Sequence, residues 1–224
     1  MRFVSTRDAT RKVPLSEAIR AGIAPDGGLY VPERMPRFDP ADFDGASTLP
    51  EVAERWIAPF CEGDPLAGRL GEVVRDAFSF PALLRRIAAE PMPLSVLELF
   101  HGPTAAFKDF GARFLAACLE RQPHDPARPV TILVATSGDT GGAVAAAFHG
   151  RPWARVVVLY PKGLVSPRQE KQLTCWGGNV RALSVRGTFD ECQRLVKEAF
   201  AEHDLATDSW VSAIDTEGAR ILEG

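Results

Sequence analysis

His101-Gly-Pro-Thr-Ala-Ala-Phe-Lys-Asp-Phe110 and, further along, Ala135-Thr-Ser-Gly-Asp-Thr-Gly-Gly142 are the two stretches that decide the fold of this chain. At each stretch, a short apolar run is followed by a segment whose residues have a helical pattern. The first follows Leu97–Phe100, and apolar residues then recur three and four positions apart, which predicts a helix from Phe107. Two successive helix starts therefore carry the polar residues of interest.

Lys108 lies in the first turn of its predicted helix, where the positive end of the helix dipole disfavours a cation. If Phe107 and Phe110 exclude water from the lysine, its neutral amine becomes more accessible, and a neutral amine can form a Schiff base. The alternative is an ordinary solvated lysine at a helix start, since charged side chains are mostly exposed.

The second stretch has the composition of an anion-binding loop. Val130–Ala135 is a continuous aliphatic run, typical of a buried parallel strand, and Gly141–His149 is a small-residue helical pattern. The intervening Thr136-Ser-Gly-Asp-Thr140 offers backbone N–H groups and hydroxyls to one point, which suits a carboxylate or phosphate. A plain Ser/Asp-capped helix is the alternative. The pattern matches neither a Walker loop nor a GxGxxG fingerprint, so it does not favour a nucleotide.

The rest of the chain predicts an α/β protein. Residues 1–80 contain short apolar stretches and helical patterns at Leu49–Phe60 and Leu70–Phe78. From about residue 93, strand and helix patterns alternate, which indicates a parallel sheet with flanking helices. The predicted order is strand Leu97–Phe100, helix from Phe107, strand Val130–Ala135, helix from Gly141, strand Val156–Tyr160, helix near Pro167–Trp176, strand Val180–Val185 and helix from Phe189. We predict a small, mainly helical amino-terminal domain at 1–92 and an α/β domain at 93–224. Ligands of such sheets bind at the carboxyl ends of the strands, where both stretches fall.

Composition narrows the class of protein. The 224 residues are 46% hydrophobic with a net charge of −3, which argues against a dedicated nucleic-acid binder. The four cysteines show no CxxC spacing and the histidines no paired pattern, so we predict no metal site and no disulfide framework. We expect buried thiols in a reducing, cytoplasmic compartment. The sequence shows no membrane-length apolar run and no signal peptide.

Several motifs together resemble one family. HGPTAAFKDF and ATSGDTGGAV are similar to segments of threonine synthase, a pyridoxal-phosphate (PLP) enzyme of the type II, tryptophan-synthase-β-like fold. Further matches follow in the same order along the chain: Phe3–Arg7, Ala24–Glu33, Tyr160–Lys171, Gly177–Asn179 and Phe189–Cys192. Ordered motifs are more specific than any one alone.

The resemblance implies roles for particular residues. Lys108 corresponds to the lysine that holds PLP as a Schiff base, and Asp139 to the loop residue near the cofactor 3-hydroxyl. The loop that receives the substrate α-carboxylate corresponds to Thr136, Ser137, Gly138 and Thr140. His101, Thr104 and Asp109 fall in the lysine motif without an assigned step, and turn hydrogen bonding or helix capping explains them equally well.

The implied reaction converts O-phosphohomoserine and water to threonine and phosphate. Such a site must hold a carboxylate and a phosphate at once, so two anion pockets are expected. Arg220 corresponds to an arginine that the family uses on the substrate phosphate, and Lys162 and Arg168 are weaker candidates for the same task.

The sequence also departs from the family pattern. Before Arg220 it reads Ser212-Ala-Ile-Asp-Thr-Glu217, so Ile214 and Glu217 replace expected amide side chains, and an acid there repels a phosphate dianion. The family pattern continues for about as many residues again, including the loop for the cofactor phosphate and the group at the pyridine nitrogen. We therefore expect these 224 residues alone to be inactive. Two alternatives stay open: a related PLP-dependent lyase acting on another phosphorylated amino acid, and a non-catalytic homologue. The sequence predicts no oligomeric state.

Overall fold

The computed structural model describes residues 1–89, 92–125, 129–201 and 220–223. For residues 200, 201 and 220–223 it describes the backbone alone.

The amino-terminal region is mainly helical, as predicted, and contains a small sheet in addition. Strands β1 (Phe3–Ser5), β2 (Lys12–Val13) and β3 (Tyr30–Pro32) pair antiparallel in the order β2-β1-β3. The helices are α1 (Leu15–Ala21), α2 (Leu49–Ile57) and α3 (Leu70–Ala77), with 3-10 turns at Pro40–Phe43, Ala58–Cys61 and Pro65–Arg69. Thr48 and Glu51 form a capping box at the start of α2, so a helix predicted from spacing begins at a residue that the sequence also marks.

A four-stranded sheet forms the second part of the molecule. Its strands are β6 (Val130–Ala135), β7 (Ala154–Pro161), β8 (Val180–Val185) and β9 (Arg220–Glu223), in the order β8-β7-β6-β9. Strands β6, β7 and β8 are parallel, and β9 joins β6 antiparallel. The helices are α4 (Lys108–Glu120), α5 (Asp139–Phe148), α6 (Pro167–Thr174) and α7 (Phe189–Ala201). The predicted fold class, a parallel sheet with flanking helices, is confirmed.

Helices cover both faces of this sheet. On one face, Ile132 and Val134 of β6 belong to a core with residues of α4, α5 and α6. On the other face, Leu133 and Ala135 pack with Cys192 and Val196 of α7. Alternate residues of β6 therefore serve opposite cores, which explains why its sequence is a continuous apolar run.

The first predicted strand of the parallel sheet is wrong. Leu97–Phe100 overlaps β5 (Leu94–Glu98), but β5 pairs antiparallel with β4 (Leu83–Ala88) in a separate two-stranded ribbon. Strand pairing is decided by distant parts of the chain, so local spacing identified the strand and not its partner. This ribbon crosses the predicted boundary at residues 92 and 93, and the division into domains stays a prediction.

Helix α4 belongs to two hydrophobic cores at once. Ala112 and Ala116 face the sheet core, whereas Ala117 and Cys118 pack into the amino-terminal core with residues such as Val73 of α3. Small side chains on both sides of α4 let the two cores approach the same helix.

An ionic network also joins the two regions. Asp76 of α3 accepts hydrogen bonds from Arg121, at the end of α4, and from Arg151, after α5, and Arg151 also pairs with Glu120. Burial alone would raise the pKa of Asp76, but the hydrogen bonds from Arg151 and Arg121 outweigh burial and hold that pKa below its usual value.

Three of the four cysteines are buried, as expected: Cys61, Cys118 and Cys192. Cys175 is exposed at the end of α6, so the expectation of four buried thiols is wrong at that position. Burial raises the pKa of the Cys61 thiol to about 11. Within the described residues, every helix is too short or too polar to cross a bilayer.

Candidate active site

The segment leading to Lys108 is held in one conformation by its own side chains. Asp109 is fully buried and accepts hydrogen bonds from the Thr104 backbone N–H at 2.9 Å and from the Thr104 hydroxyl at 2.8 Å. A Cβ on Gly102 would lie 2.4 Å from the Asp109 carboxylate, so only glycine fits there. Thr104 and Asp109 thus perform the turn role that the sequence left open.

Backbone strain accompanies this turn. Ala105, three residues before Lys108, has φ of 57°, and it is the only non-glycine residue with positive φ in the part of the chain that the structure describes. A side chain in the left-handed region costs about 1–2 kcal/mol, and such strain persists only where the surroundings enforce it. The Thr104–Asp109 hydrogen bonds supply that enforcement.

Lys108 opens α4 and is partly buried. Its Nζ lies 4.9 Å from the centre of the Phe107 ring, and no carboxylate among the described residues pairs with it. Phe107 is itself 60% exposed, so it lines the amine without sealing it from water. No ion pair has to break before this amine can approach a carbonyl compound.

A histidine next to this segment is fixed by a carboxylate. His101 Nε2 lies 2.7 Å from Glu98 Oε2, and Arg85 Nε lies 2.7 Å from the other oxygen of Glu98. The hydrogen bond from His101, with a smaller contribution from Arg85, outweighs burial and lowers the pKa of Glu98.

The loop after β6 is shaped by one buried hydroxyl. Thr136 is 1% exposed, and its Oγ1 accepts hydrogen bonds from the N–H groups of Gly138 at 3.0 Å and Gly141 at 2.9 Å while donating to the Gly138 carbonyl at 3.1 Å. The hydroxyl is therefore occupied within the loop. Helix α5 begins at Asp139, two residues before the predicted start at Gly141.

Three backbone amides of this loop point to an anion site. The N–H groups of Ser137, Asp139 and Thr140 have no backbone or side-chain acceptor among the described residues. Ser137 is exposed, and its hydroxyl is also without a partner in the described structure. Unpaired N–H groups at the start of a ten-residue helix form a cradle for a carboxylate or phosphate.

Gln169 is a site residue that sequence reasoning missed. Its Nε2 donates to Asp139 Oδ1 at 2.9 Å, and a Cβ on Gly138 would lie only 2.3 Å from the same nitrogen. Gly138 has φ of 155°. The available signal was Ser166-Pro-Arg-Gln169, a capping-box pattern, and the box forms at the start of α6.

Helix α6 connects the two decisive stretches. Three residues after Gln169, which holds Asp139, Gln172 donates from Nε2 to the Thr104 carbonyl at 3.1 Å. Residues three apart share one face of a helix. One face of α6 therefore holds both the Lys108 segment and the anion loop at the carboxyl edge of the sheet.

The candidates for the second anion pocket lie on different elements of the fold. Lys162 follows β7, and its N–H donates to the Val185 carbonyl, while its side chain and that of Arg168 are exposed. Arg220 begins β9 opposite Leu133, so its backbone lies near the carboxyl end of β6. The altered segment containing Ile214 and Glu217 lies outside the described residues.

Two family models match separate parts of the chain. Residues 84–219 match the family model described as pyridoxal-phosphate dependent enzyme, and the chain belongs to that family. Residues 2–78 match the model described as threonine synthase N terminus. The family resemblance predicted from the motifs is confirmed.

Individual threonine synthases match most of this chain. The threonine synthase of Escherichia coli (strain K12) is 42% identical over 207 residues, which cover 92% of this chain and 47% of that protein. The crystal structure of PLP-bound threonine synthase from Brucella melitensis has a TM-score of 0.80 at 37% identity, covering 97% of this chain and 48% of that one. The E. coli threonine synthase structure has a TM-score of 0.78. The chain spans about half the length of the relatives that it matches.

Proposed function

We propose that this chain forms the lysine-bearing half of a threonine synthase, which converts O-phosphohomoserine and water to threonine and phosphate. The observation that carries the proposal is the bridge made by α6, which brings an unpaired lysine amine and a three-amide cradle to one edge of the sheet. The 42% identity to the E. coli enzyme supports this reaction over another lyase.

The described residues fit PLP at Lys108. The amine has no ion-pair partner, and Asp139 is held by Gln169 rather than by a cation, so its second oxygen is available to a hydroxyl. PLP, when bound, supplies the electron sink that stabilises negative charge at substrate carbons.

The remaining roles belong to the residues of this chain. The amides of Ser137, Asp139 and Thr140, with the Ser137 hydroxyl, hold the substrate α-carboxylate, and Thr136 and Gly138 shape the loop. The Lys108 amine would move protons at Cα and Cβ of the substrate. Arg220 receives the substrate phosphate, with Lys162 or Arg168 in support.

We further propose a cytoplasmic enzyme with a small-molecule substrate, without a nucleic-acid or membrane partner. Four free cysteines, three of them buried, are consistent with a reducing compartment. The net charge of −3 disfavours non-specific binding to nucleic acid.

Borohydride trapping tests the proposal. The protein, purified as its source cell makes it, is loaded with PLP, reduced and digested, and the modified peptide is mapped. We expect the label on Lys108, its loss in Lys108→Ala, and its retention in the control Lys162→Ala. A label on Lys162, or labelled protein that releases no phosphate from O-phosphohomoserine, would overturn the proposed function.

A further inference from the structure

Two arginines lie on neighbouring strands at the amino-terminal edge of the parallel sheet. Arg155 is the second residue of β7, and Arg181 is the second residue of β8. In the observed register Arg181 lies opposite Val157, two residues along β7 from Arg155. Because residues two apart along a strand share a face, both arginines lie on the same face of the sheet. Strands about 4.8 Å apart, with a rise of about 3.3 Å per residue, place their Cα atoms roughly 8 Å from each other.

This end of the face differs from the end that lies nearer the candidate active site. Further along the same face, Leu133 and Leu159 pack against α7. Both arginines are exposed, and Thr131 of β6 lies directly opposite Arg155 on that face. At the starts of three neighbouring strands, polar side chains therefore stand where a parallel sheet normally carries apolar ones.

The two positive charges have no carboxylate between them in the part of the chain that the structure describes. Like charges this close on neighbouring strands are unfavourable, and an anion between them removes the repulsion. The protein uses that arrangement elsewhere, since Arg121 and Arg151 share the carboxylate of Asp76. The pair on β7 and β8 has the geometry to share an anion that is not part of the described chain.

An open cavity of about 570 Å³ lies over these residues, a volume within the range of about 300–1,000 Å³ that is usual for small-molecule sites. None of its described walls is acidic, and apolar surface comes from Pro129, Pro152 and Val157. Guanidinium groups match phosphate oxygens in a bidentate manner. A phosphate monoester carries about −1.5 to −2 charges at neutral pH, which two arginines balance.

We propose that this cavity, with Thr131, Arg155 and Arg181 as its polar contacts, binds the phosphate group of a small phosphorylated molecule. The apolar walls receive the organic part of that molecule. Thr131 lies near the start of β6 and the Thr136–Thr140 loop follows its end, so the cavity and the loop are roughly 16 Å apart along the strand. The inference therefore does not depend on the proposed reaction at Lys108.

Isothermal titration calorimetry with phenyl phosphate tests the cavity in the protein purified as its source cell makes it. We expect saturable binding that weakens as salt is added, because exposed charges are screened. Inorganic phosphate lacks the apolar part and should bind more weakly. Benzoate keeps the ring but carries a single charge, so it should also bind more weakly.

Variants assign the binding to this edge of the sheet. Arg155→Gln and Arg181→Gln each remove one positive charge and are expected to weaken phenyl phosphate binding at least about tenfold. Arg37→Gln makes the same change at an exposed arginine of the amino-terminal region and should leave the affinity unchanged. Thermal unfolding verifies that each variant folds. The proposal is overturned if phenyl phosphate does not bind, if benzoate binds equally well, or if neither variant on the sheet alters the affinity.

Discussion

The side-chain amide of Gln169 donates a hydrogen bond to the carboxylate of Asp139, across thirty residues of sequence, at 2.9 Å. The same side chain also accepts from the Ser166 N–H and hydroxyl, which caps α6. One residue thus starts a helix with its oxygen and orients a candidate cofactor contact with its nitrogen.

Gln169→Glu separates these two tasks. The variant keeps an oxygen for the Ser166 cap but replaces the donor that faces Asp139 with a second carboxylate. We expect the free energy of unfolding to change by less than about 0.5 kcal/mol, while PLP affinity, measured by titration of the protein purified as its source cell makes it, falls about 3- to 10-fold. Lys171→Gln, an exposed change on the same helix, is the control. Unaltered PLP affinity in Gln169→Glu would show that Asp139 does not contact the cofactor.

Thr136 and Ser137 are adjacent but should respond to mutation in opposite ways. Thr136→Val leaves the buried N–H groups of Gly138 and Gly141 without an acceptor, at about 1–3 kcal/mol for each group. Ser137→Leu removes an exposed hydroxyl and should change stability by less than about 0.5 kcal/mol but raise the substrate KM at least about tenfold. Urea unfolding and steady-state kinetics measure the two effects. Equal stability losses would contradict the division between loop shaping and substrate binding.

Replacement by alanine should change the free energy of unfolding in opposite directions at Gly102 and Gly111. Gly102→Ala drives a methyl group into the Asp109 carboxylate and should cost about 1–3 kcal/mol of unfolding free energy. Gly111→Ala, on the exposed side of α4 with no atom within 4 Å, should add about 0.5–1 kcal/mol. Denaturant titration of both variants tests whether the turn before Lys108 is as tightly packed as the contacts indicate.

Asp76 predicts a specific acid sensitivity. Because its pKa is lower in the folded protein than in the unfolded chain, its stabilising contribution is complete above the unfolded value of about 3.9 and is lost as pH falls through the folded value. Asp76→Asn should therefore cost about 1–2 kcal/mol at pH 7, since the carboxylate is 25% exposed and partly screened. Below the folded pKa of Asp76 the variant and the parent should converge. Asp44→Asn, at an exposed position, is the control and should match the stability of the parent at pH 7.

The spacing of apolar residues along the sequence was sufficient to predict most of the helices and strands. Strands β6 and β8 begin and end at the predicted residues. In β6 a run of β-branched and aliphatic residues leaves little choice of structure. The start of α5 was misplaced by two residues because the hydroxyl of Thr136, and not a side-chain cap, closes its first turn.

Long-range pairing accounts for what the sequence did not reveal. The contact of Gln169 with Asp139 and the antiparallel partner of β5 depend on residues brought together only by the finished fold. The order of the motifs still placed Lys108 and the Thr136–Thr140 loop at successive helix starts. The residues that mark a helix start are neighbours in the sequence, so no knowledge of long-range contacts is needed to find them. The division at residue 92 and the roles of the site residues stay predictions.

Because α4 packs into two hydrophobic cores, it limits where the genes of related proteins can recombine. Ala117 and Cys118 pack in the amino-terminal core while Ala112 and Ala116 pack beneath the sheet. A crossover on either side of α4 separates the helix from one of the two cores into which its small residues pack. Chimeras between distant relatives are therefore expected to fold only where both parents carry similarly small side chains on the two faces of this helix.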